Sequence, residues 1–409
     1  MKQKNTSRVN SSTIAYDGLE GWARSKMQVW LQELLEDEVT QFLGRKKSER
    51  NPDRRGYRNG HGKSRRFAMM SGTVEVRRPR VRNTAERFES QVLPYFRRKS
   101  KQLGQLLPEL YLHGLATGDF ELAMRGLLGP GAPLSRASIQ RLKSVWQVEY
   151  DEWKQEDLSG LEVVYHWADG LYVKAGIAKD RAALLVIVAG LSDGSKVLLA
   201  CESGLRESKE AWSRILRDLQ KRGLKLGRMT VADGHLGIWA ALAEQHPEGR
   251  EQRCWNHKIV NVIDHLPKSE QPGAKQLLHN IAFANSRAEC ERKRDQFVRR
   301  YQKSYPKAGE TLIRDWDRMI TFYEFPKEHW VHLRTSNIVE SPFDAVRLRT
   351  NAARRYKRVD NATAMIWKLL RVAEKAWRHL KGSDLLQEVY DGQRFADGVK
   401  VVIKSKAAA

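Results

Sequence analysis

Near the start of the chain, Ala23, Met27, Trp30, Leu31, Leu34 and Leu35 recur at three- and four-residue spacing, which predicts an amphipathic helix buried on that side. After Gly44 the pattern gives way to RNPDRRGYRNGHGKSRR and then to the alternation Thr73, Val74, Glu75, Val76, ending at Pro79. This reads as a basic loop followed by one or two short strands. Helical spacing resumes from Lys101 to about Trp153, interrupted at Pro108, Gly114, Gly118 and Gly129-Pro130-Gly131. In LSRASIQRLKSVW, Ser135 stands where a helix cap belongs, and Ile139, Leu142, Val145 and Trp146 share a face with Arg136, Arg141 and Lys143 outside it. Two helices joined by a short turn, the second one basic, fit a helix-turn-helix; a small packing bundle fits the same pattern.

At Leu161 the period changes to two. Leu161, Val163, Tyr165 and Trp167 alternate, and Tyr172 to Ile177, Ala182 to Ala189 and Lys196 to Cys201 follow, predicting four strands. Ser208 opens a helix with Trp212, Ile215, Leu216 and Leu219 on one face, ending at Gly223. Met229 to Ala232 is a further strand, Leu236 to Leu242 a short helix and Glu251 to Cys254 another strand. Strands in succession, then strand and helix in alternation, predict a mixed α/β sheet. From Lys258 to Lys327 the chain is polar and helix-forming, an all-α insertion, and 341 to 381 return to one or two strongly basic helices. The domain layout expected is 1–100 (helix, basic loop and strands), 101–157 (helix-turn-helix-like), 158–258 (first part of the α/β core), 259–330 (insertion), 331–385 (second part of the core) and 386–409 (tail).

Charge narrows the possibilities. The chain carries 73 Lys and Arg against 49 Asp and Glu, a net +24, and 19 of the basic residues but only 5 acidic ones fall between Arg45 and Lys101. A basic excess concentrated in this way is the electrostatic footprint of a nucleic-acid binder, since phosphates release counterions on contact. The longest apolar run, Ala182 to Ala189, is far short of the roughly twenty residues of a membrane span. Three cysteines, Cys201, Cys254 and Cys290, lie far apart, which speaks against a disulfide framework and for a reducing cytoplasm.

Candidate chemistry rests on acids. GYRNGHGKS is not a phosphate-binding loop, because its glycines are wrongly spaced and no apolar strand precedes it. Asp169 in VVYHWADG and Asp233 in MTVADG each follow a strand and precede a glycine that lets the backbone turn sharply. The ends of strands are where α/β sheets present ligands, and two carboxylates from neighbouring strands suit Mg²⁺, although Asp-Gly is also a common turn dipeptide. A two-metal site for phosphodiester chemistry calls for a third acid. Glu340 in HLRTSNIVESPFDAVRLRT is the candidate, at the mouth of a helix that Ser341, Pro342 and Asp344 would start.

Taken together and in order, HWADGLYVK, ESKEAWSRILRDLQKRGL, VADGHLGIWAAL, QRCWNHK and RTSNIVESPFDAVRLRT resemble the Mutator-type transposases of bacterial insertion sequences, as do GYRNGHGKSRRFAMMSGTVEVRRPRVR and LYLHGLATGDF upstream. The resemblance covers roughly residues 20 to 380. It implies an RNase H-like core with an Asp-Asp-Glu triad at Asp169, Asp233 and Glu340, and a helical domain inserted between the second acid and the third. The spacing of 107 from Asp233 to Glu340 agrees, being too long for one unstructured connection. Pro342 departs from the residue usual there and bears on how Glu340 is oriented.

The expected protein is thus a DNA transposase of the bacterial cytoplasm and nucleoid. It would bind the terminal inverted repeats of its insertion sequence and target DNA as a homodimer or higher oligomer, then cut and join strands with two Mg²⁺ ions, for which Mn²⁺ substitutes. Arg54, Arg55, Arg58, Lys63, Arg65, Arg66, Arg136, Arg141 and Lys143 are its expected DNA contacts upstream, and Arg347, Arg349, Arg354, Arg355, Lys357 and Arg358 those beside the site. Cys254 and His257 match a family signature and are expected to shape the site. Zinc is disfavoured: a structural site wants four ligands, and only His329 and His332 could complete the set. Trp255 and Trp316 are expected in the core rather than stacked on a base. A nuclease or resolvase without strand joining, and a non-catalytic DNA-binding regulator, are the rival readings.

Overall fold

The computed structural model describes residues 18–50, 56–93, 136–174, 181–204, 206–353 and 358–402, with isolated positions between 100 and 128; for 136–140, 181, 345 and 351–353 it describes the backbone alone. Ser135, Arg54, Arg55, Arg354, Arg355 and Lys357 lie outside the described residues, as does most of the first half of the predicted helix-turn-helix. The chain divides into two compact units, 1–142 and 143–409. No helix among the described residues is long and apolar enough to cross a membrane.

In the first unit, helix α1 (Leu19–Leu43) packs on a hairpin of β1 (Tyr57–Met69) and β2 (Gly72–Arg82). From Tyr57 on, the predicted basic loop is therefore itself a long strand, whose register shifts twice, at Arg58/His61 and at His61/Ser64. Leu35, Val76 and Leu93 form the core here, with Leu31 and Phe67 against them. Strand β2 is hydrogen-bonded on its other side by α1 rather than by a third strand: Gln32 Nε2 donates to the Arg77 carbonyl and Gln32 Oε1 accepts from the Arg77 N–H, both at 2.9 Å, while Gln28 Oε1 accepts from the Glu75 N–H at 3.1 Å. Satisfied backbone groups stop this edge from pairing with another chain. Trp30 is not on the buried side of α1; it is 56% exposed.

The second unit is built on a five-stranded sheet. Helix α2 (Arg136–Trp153) leads into β3 (Val163–Lys174), β4 (Arg181–Leu191) and β5 (Lys196–Gly204), and then into α3 (Lys209–Lys221), β6 (Met229–Ala232), α4 (Leu236–Gln245) and β7 (Arg250–Arg253). Spatially the order is β5-β4-β3-β6-β7; β4 runs antiparallel to its neighbours β3 and β5, whereas β6 and β7 run parallel to β3. The first two predicted strands are one, β3, because Asp169 and Gly170 stay in the ladder opposite Val186 and Leu185. Helices α3 and α4 cover one face of the sheet, burying Trp212, Ile215, Leu216, Leu219, Ile238 and Trp239 against Ala168, Leu185 and Ile187. Ser208 caps α3 as its sequence position predicts, its hydroxyl accepting from the Ala211 N–H at 3.3 Å.

Beyond β7 come α5 (Trp255–Ile263), α6 (Gln271–Ala282), α7 (Arg287–Tyr301) and α8 (Pro306–Ile313), then short helical turns, the one-turn α9 (Asn337–Glu340), α10 (Phe343–Ala353) and α11 (Val359–Glu374). The stretch from 255 to 333 is helical throughout its regular elements. Trp255 and Trp316 meet edge to face inside it, 1% and 8% exposed, as core residues. Helix α11 packs on β5, where Glu374 Oε1 accepts from the Leu198 N–H at 2.7 Å. The three cysteines are free and buried.

Candidate active site

The register of the parallel strands places the first two acids. Ala168 of β3 pairs with Ala232, the last residue of β6, so the next residues, Asp169 within β3 and Asp233 just past β6, follow this pair side by side, the two strands being roughly 4.8 Å apart. Asp169 Oδ1 accepts from the Gly170 N–H, and Asp233 Oδ1 from the His235 N–H, which turns the chain into α4; both are 2.8 Å.

The backbone does not turn at Gly170, contrary to the expectation from sequence, since β3 continues to Lys174, whereas it does bend at Gly234 on the way into α4; neither glycine has a positive φ. Both make room. A Cβ on Gly170 would lie 2.3 Å from Glu207 Oε1, and one on Gly234 would lie 2.1 Å from Arg253 Nη2. Arg253 is tied in turn to Asp315 of the helical stretch at 2.8 Å.

Glu340 reaches the same place from 107 residues further along. It ends α9, which lies against β3 and β4 with Val339 fully buried beneath it. Three contacts fasten this turn to the start of α5: Ser336 N–H donates to Cys254 Sγ at 3.3 Å, Trp255 N–H to the Arg334 carbonyl at 2.9 Å, and Asn256 Nδ2 to Asn337 Oδ1 at 2.9 Å. The Ser336 hydroxyl donates to Glu340 Oε1, and His257 Nδ1 is 3.8 Å from that oxygen. Donor atoms of Cys254, His257 and Glu340 all lie within 4.8 Å of one another. His329 and His332 do not join them. The first sits between the Tyr165 hydroxyl and the Gly382 carbonyl, and Nε2 of the second accepts from the Lys381 N–H.

The electrostatics record this convergence. Burial, with smaller contributions from the nearby Glu340 and Asp233 charges, pushes the Asp169 carboxyl up to about 7, against the opposing pull of the Gly170 N–H and of His257. His257 is raised to about 9, first by its hydrogen bond to Cys254 and then by Glu340 and Asp233, so it is cationic at neutral pH. A fourth acid belongs to the group. Glu207, 6% exposed, is raised by burial and then by Asp233, and it hydrogen-bonds the Tyr172 hydroxyl. It opens one of the motifs quoted above, but as the acid just before a helix cap it carries no pattern that would single it out.

A pH dependence follows for the metal-free protein. Folded, Asp169 keeps its proton up to about 7 while the unfolded chain releases it near 3.8, so the folded state binds more protons in that window and stability falls as pH rises through it. His257 has the sign of a raised base: its stabilisation is complete below 6.5 and is lost as pH rises through about 9. Thermal unfolding in a chelator should show Asp169→Asn flattening the first decline and His257→Gln the second. Unchanged slopes would contradict the assigned environments.

Of the expected DNA contacts, Lys63, Arg66, Arg141, Arg347 and Arg358 are exposed, with Arg66 4.0 Å from Glu75, Arg347 3.0 Å from Asp344 and Arg358 3.1 Å from Asp360. Arg65 and Lys143 are half-buried, and Arg136 is described only in its backbone. Arg58 is engaged within its unit, donating to Glu36 at 3.1 Å and Thr40 at 2.7 Å. Arg349 departs most from expectation: it is 2% exposed and belongs to the interior rather than to a DNA-lining surface.

A mixed sheet with one aspartate inside β3 and a second just past the end of the adjacent parallel β6, and a glutamate folded back onto them by a helical excursion, defines an α/β protein with an acidic centre beside the end of β6. The chain belongs to the Mutator family of transposases, whose family description, "Transposase, Mutator family", matches residues 1–379. It is 38% identical over 296 residues to the transposase for insertion sequence element IS6120 of Mycolicibacterium smegmatis, covering 72% of this chain and 92% of that protein. It is 39% identical over 279 residues to the transposase for IST2 of Acidithiobacillus ferrooxidans (68% and 94%), and 28% over 377 residues to that for ISRM5 of Rhizobium meliloti (90% and 92%).

Proposed function

We propose that this protein binds the terminal inverted repeats of an insertion sequence and catalyses cleavage and joining of DNA strands there, with Asp169, Asp233 and Glu340 as the catalytic acids of an RNase H-like core. The observation that carries the reading is the meeting of these three carboxylates, two from adjacent strands and one from beyond a helical stretch, in a member of this family. Oxygen donors of this kind suit Mg²⁺, with Mn²⁺ as a substitute, and Asp169, Asp233 and Glu340 would hold it. Bound there, the metal supplies activation of water or a 3′-hydroxyl and stabilisation of the leaving oxygen.

The chain's own groups do the positioning. The His235 N–H aims Asp233, while the Ser336 hydroxyl and His257 orient Glu340. Cationic His257 beside the acids adds positive charge where a phosphate would approach. Lysines and arginines on the hairpin, Lys63 and Arg66 among them, give the first unit its part in end recognition through phosphate contacts. Lys63→Ala and Arg66→Ala should each weaken binding to every sequence alike and lower the slope of log K against log salt by about 0.9, the value for one phosphate contact. A slope that does not move would remove that residue from the interface.

The deciding experiment incubates the protein with DNA carrying native element ends and a target duplex, with Mg²⁺ or with EDTA. Mg²⁺-dependent nicking at the ends followed by joining to the target is expected. Cleavage without joining would favour a nuclease or resolvase; end binding without cleavage would favour a regulator.

A further inference from the structure

Helix α1 has two apolar faces, and the hairpin uses only one. Leu35, Val39 and Leu43 are buried. On the opposite side Leu19, Trp22, Val29 and Trp30 are 46%, 43%, 53% and 56% exposed. At about 100° per residue these four fall, with Lys26, Glu33 and Asp37, within an arc roughly 100° wide, directly across the helix from Leu31 and Phe42. Exposed tryptophans aligned on one helix face mark a contact surface more than a solvated one.

The charges on this stripe select its occupant. Among the described residues Glu33 and Asp37 have no ion pair, whereas their neighbour Glu36 holds Arg58 and His61, and Glu38 accepts from Ser90 and from the Gln91 and Val92 N–H groups. Lys26 lies within the stripe, its Nζ 5.8 Å from the Trp22 ring centroid. Basic charge sits in the first half and acidic charge in the second.

We propose that this face binds the same face of a second copy of the chain, with the two α1 helices antiparallel about a two-fold axis between Val29 and Trp30. That register sets Lys26 against Glu33 of the other copy and Trp22 against Asp37, and it brings the two Val29–Trp30 pairs together at the axis. A parallel pairing would place Lys26 on Lys26 and Glu33 on Glu33, so like charges disfavour it. A groove of about 880 Å³ between α1 and the hairpin, with Val29, Glu33 and Asp37 on one wall and Lys47 and His61 among the residues opposite, receives the partner's aromatic side chains. Two tryptophans per copy at the centre of the contact are the kind of anchor that dominates interface energies. The inference is independent of the chemistry proposed for the acids.

The test is the association state of the full chain without DNA, measured by sedimentation equilibrium at several concentrations, with circular dichroism to confirm folding. A concentration-dependent dimer is expected. Lys26→Glu, Glu33→Lys and Trp30→Ser should each weaken it at least tenfold, and the double variant Lys26→Glu/Glu33→Lys should recover wild-type association. A chain that stays monomeric overturns the proposal, as does a dimer indifferent to these substitutions. If the charge reversals change DNA binding while leaving a monomer, the stripe belongs to DNA and the self-pairing is wrong.

Discussion

Asp169→Asn, Asp233→Asn and Glu340→Gln are each expected to lower strand cleavage and joining by about a thousandfold or more while leaving binding to the element ends within a few-fold of wild type. Each change removes one charged oxygen donor and almost no volume, so the sheet has no reason to rearrange. What is lost is charge stabilisation at the reacting phosphate, worth several kcal/mol at roughly 1.4 kcal/mol per factor of ten. Asp169→Asn carries a second signature. Burial penalises the Asp169 charge, so the amide should make the metal-free protein more stable above pH 7 and no longer stabilised by added Mg²⁺. Cleavage assays, gel-shift titrations and thermal unfolding on the same preparations give the comparison. Variants that cut like wild type would disqualify the three acids; variants that lose end binding together with cleavage would leave them a structural role only.

Gly237→Ala is expected to be the most damaging single methyl group near the site. Gly237 lies in the first turn of α4, where a Cβ would come 2.2 Å from the Glu207 carbonyl oxygen, 2.9 Å from Ser208 C and 3.1 Å from Lys209 N. These are backbone atoms at the β5–α3 junction, so no side chain can swing aside and the two elements must part. Overpacking of this kind costs about 3 kcal/mol, which lowers the melting temperature by roughly 6–12 °C in a unit of this size. Because Glu207 moves with its backbone, cleavage should fall more than the lost stability accounts for. The control is Gly273→Ala in α6, which meets nothing within 4 Å and should be neutral or stabilising by about 0.5–1 kcal/mol through helix propensity. Equal melting temperatures for the two variants would show that α4 does not press on Glu207 as described.

Much of the architecture was legible because local rules and tertiary packing agree. The Ser208 cap, the apolar face of α3, the four-residue strand Met229–Ala232 and the short β7 are written in periodicity and capping, which need no distant partner. The acids Asp169 and Asp233 were visible because each stands beside a run of buried strand residues. Where local cues misled, the reason is a contact remote in sequence. GYRNGHGKSRR has the composition of a loop, yet it is held as a strand by β2, which α1 pins with Gln28 and Gln32. Trp30 sits on the exposed side because α1 bears apolar residues nearly all round, and periodicity alone does not say which face the hairpin takes.

By itself, then, the sequence determined the basic character of the chain, the order of its strands and helices, the candidate acids and the family, since each of these is carried by residue identity and short-range spacing. Tertiary structure alone decided that Asp169 and Asp233 are neighbours, through the parallel β3–β6 register, and that Glu340 returns to them through Cys254, Trp255 and Asn256. It also decided that the two Asp-Gly glycines are notches for Glu207 and Arg253, and that Arg349 faces inward. The physical reason is the same in each case. Spacing along a chain fixes which way a side chain leaves its own element, but only packing between elements fixes what it meets.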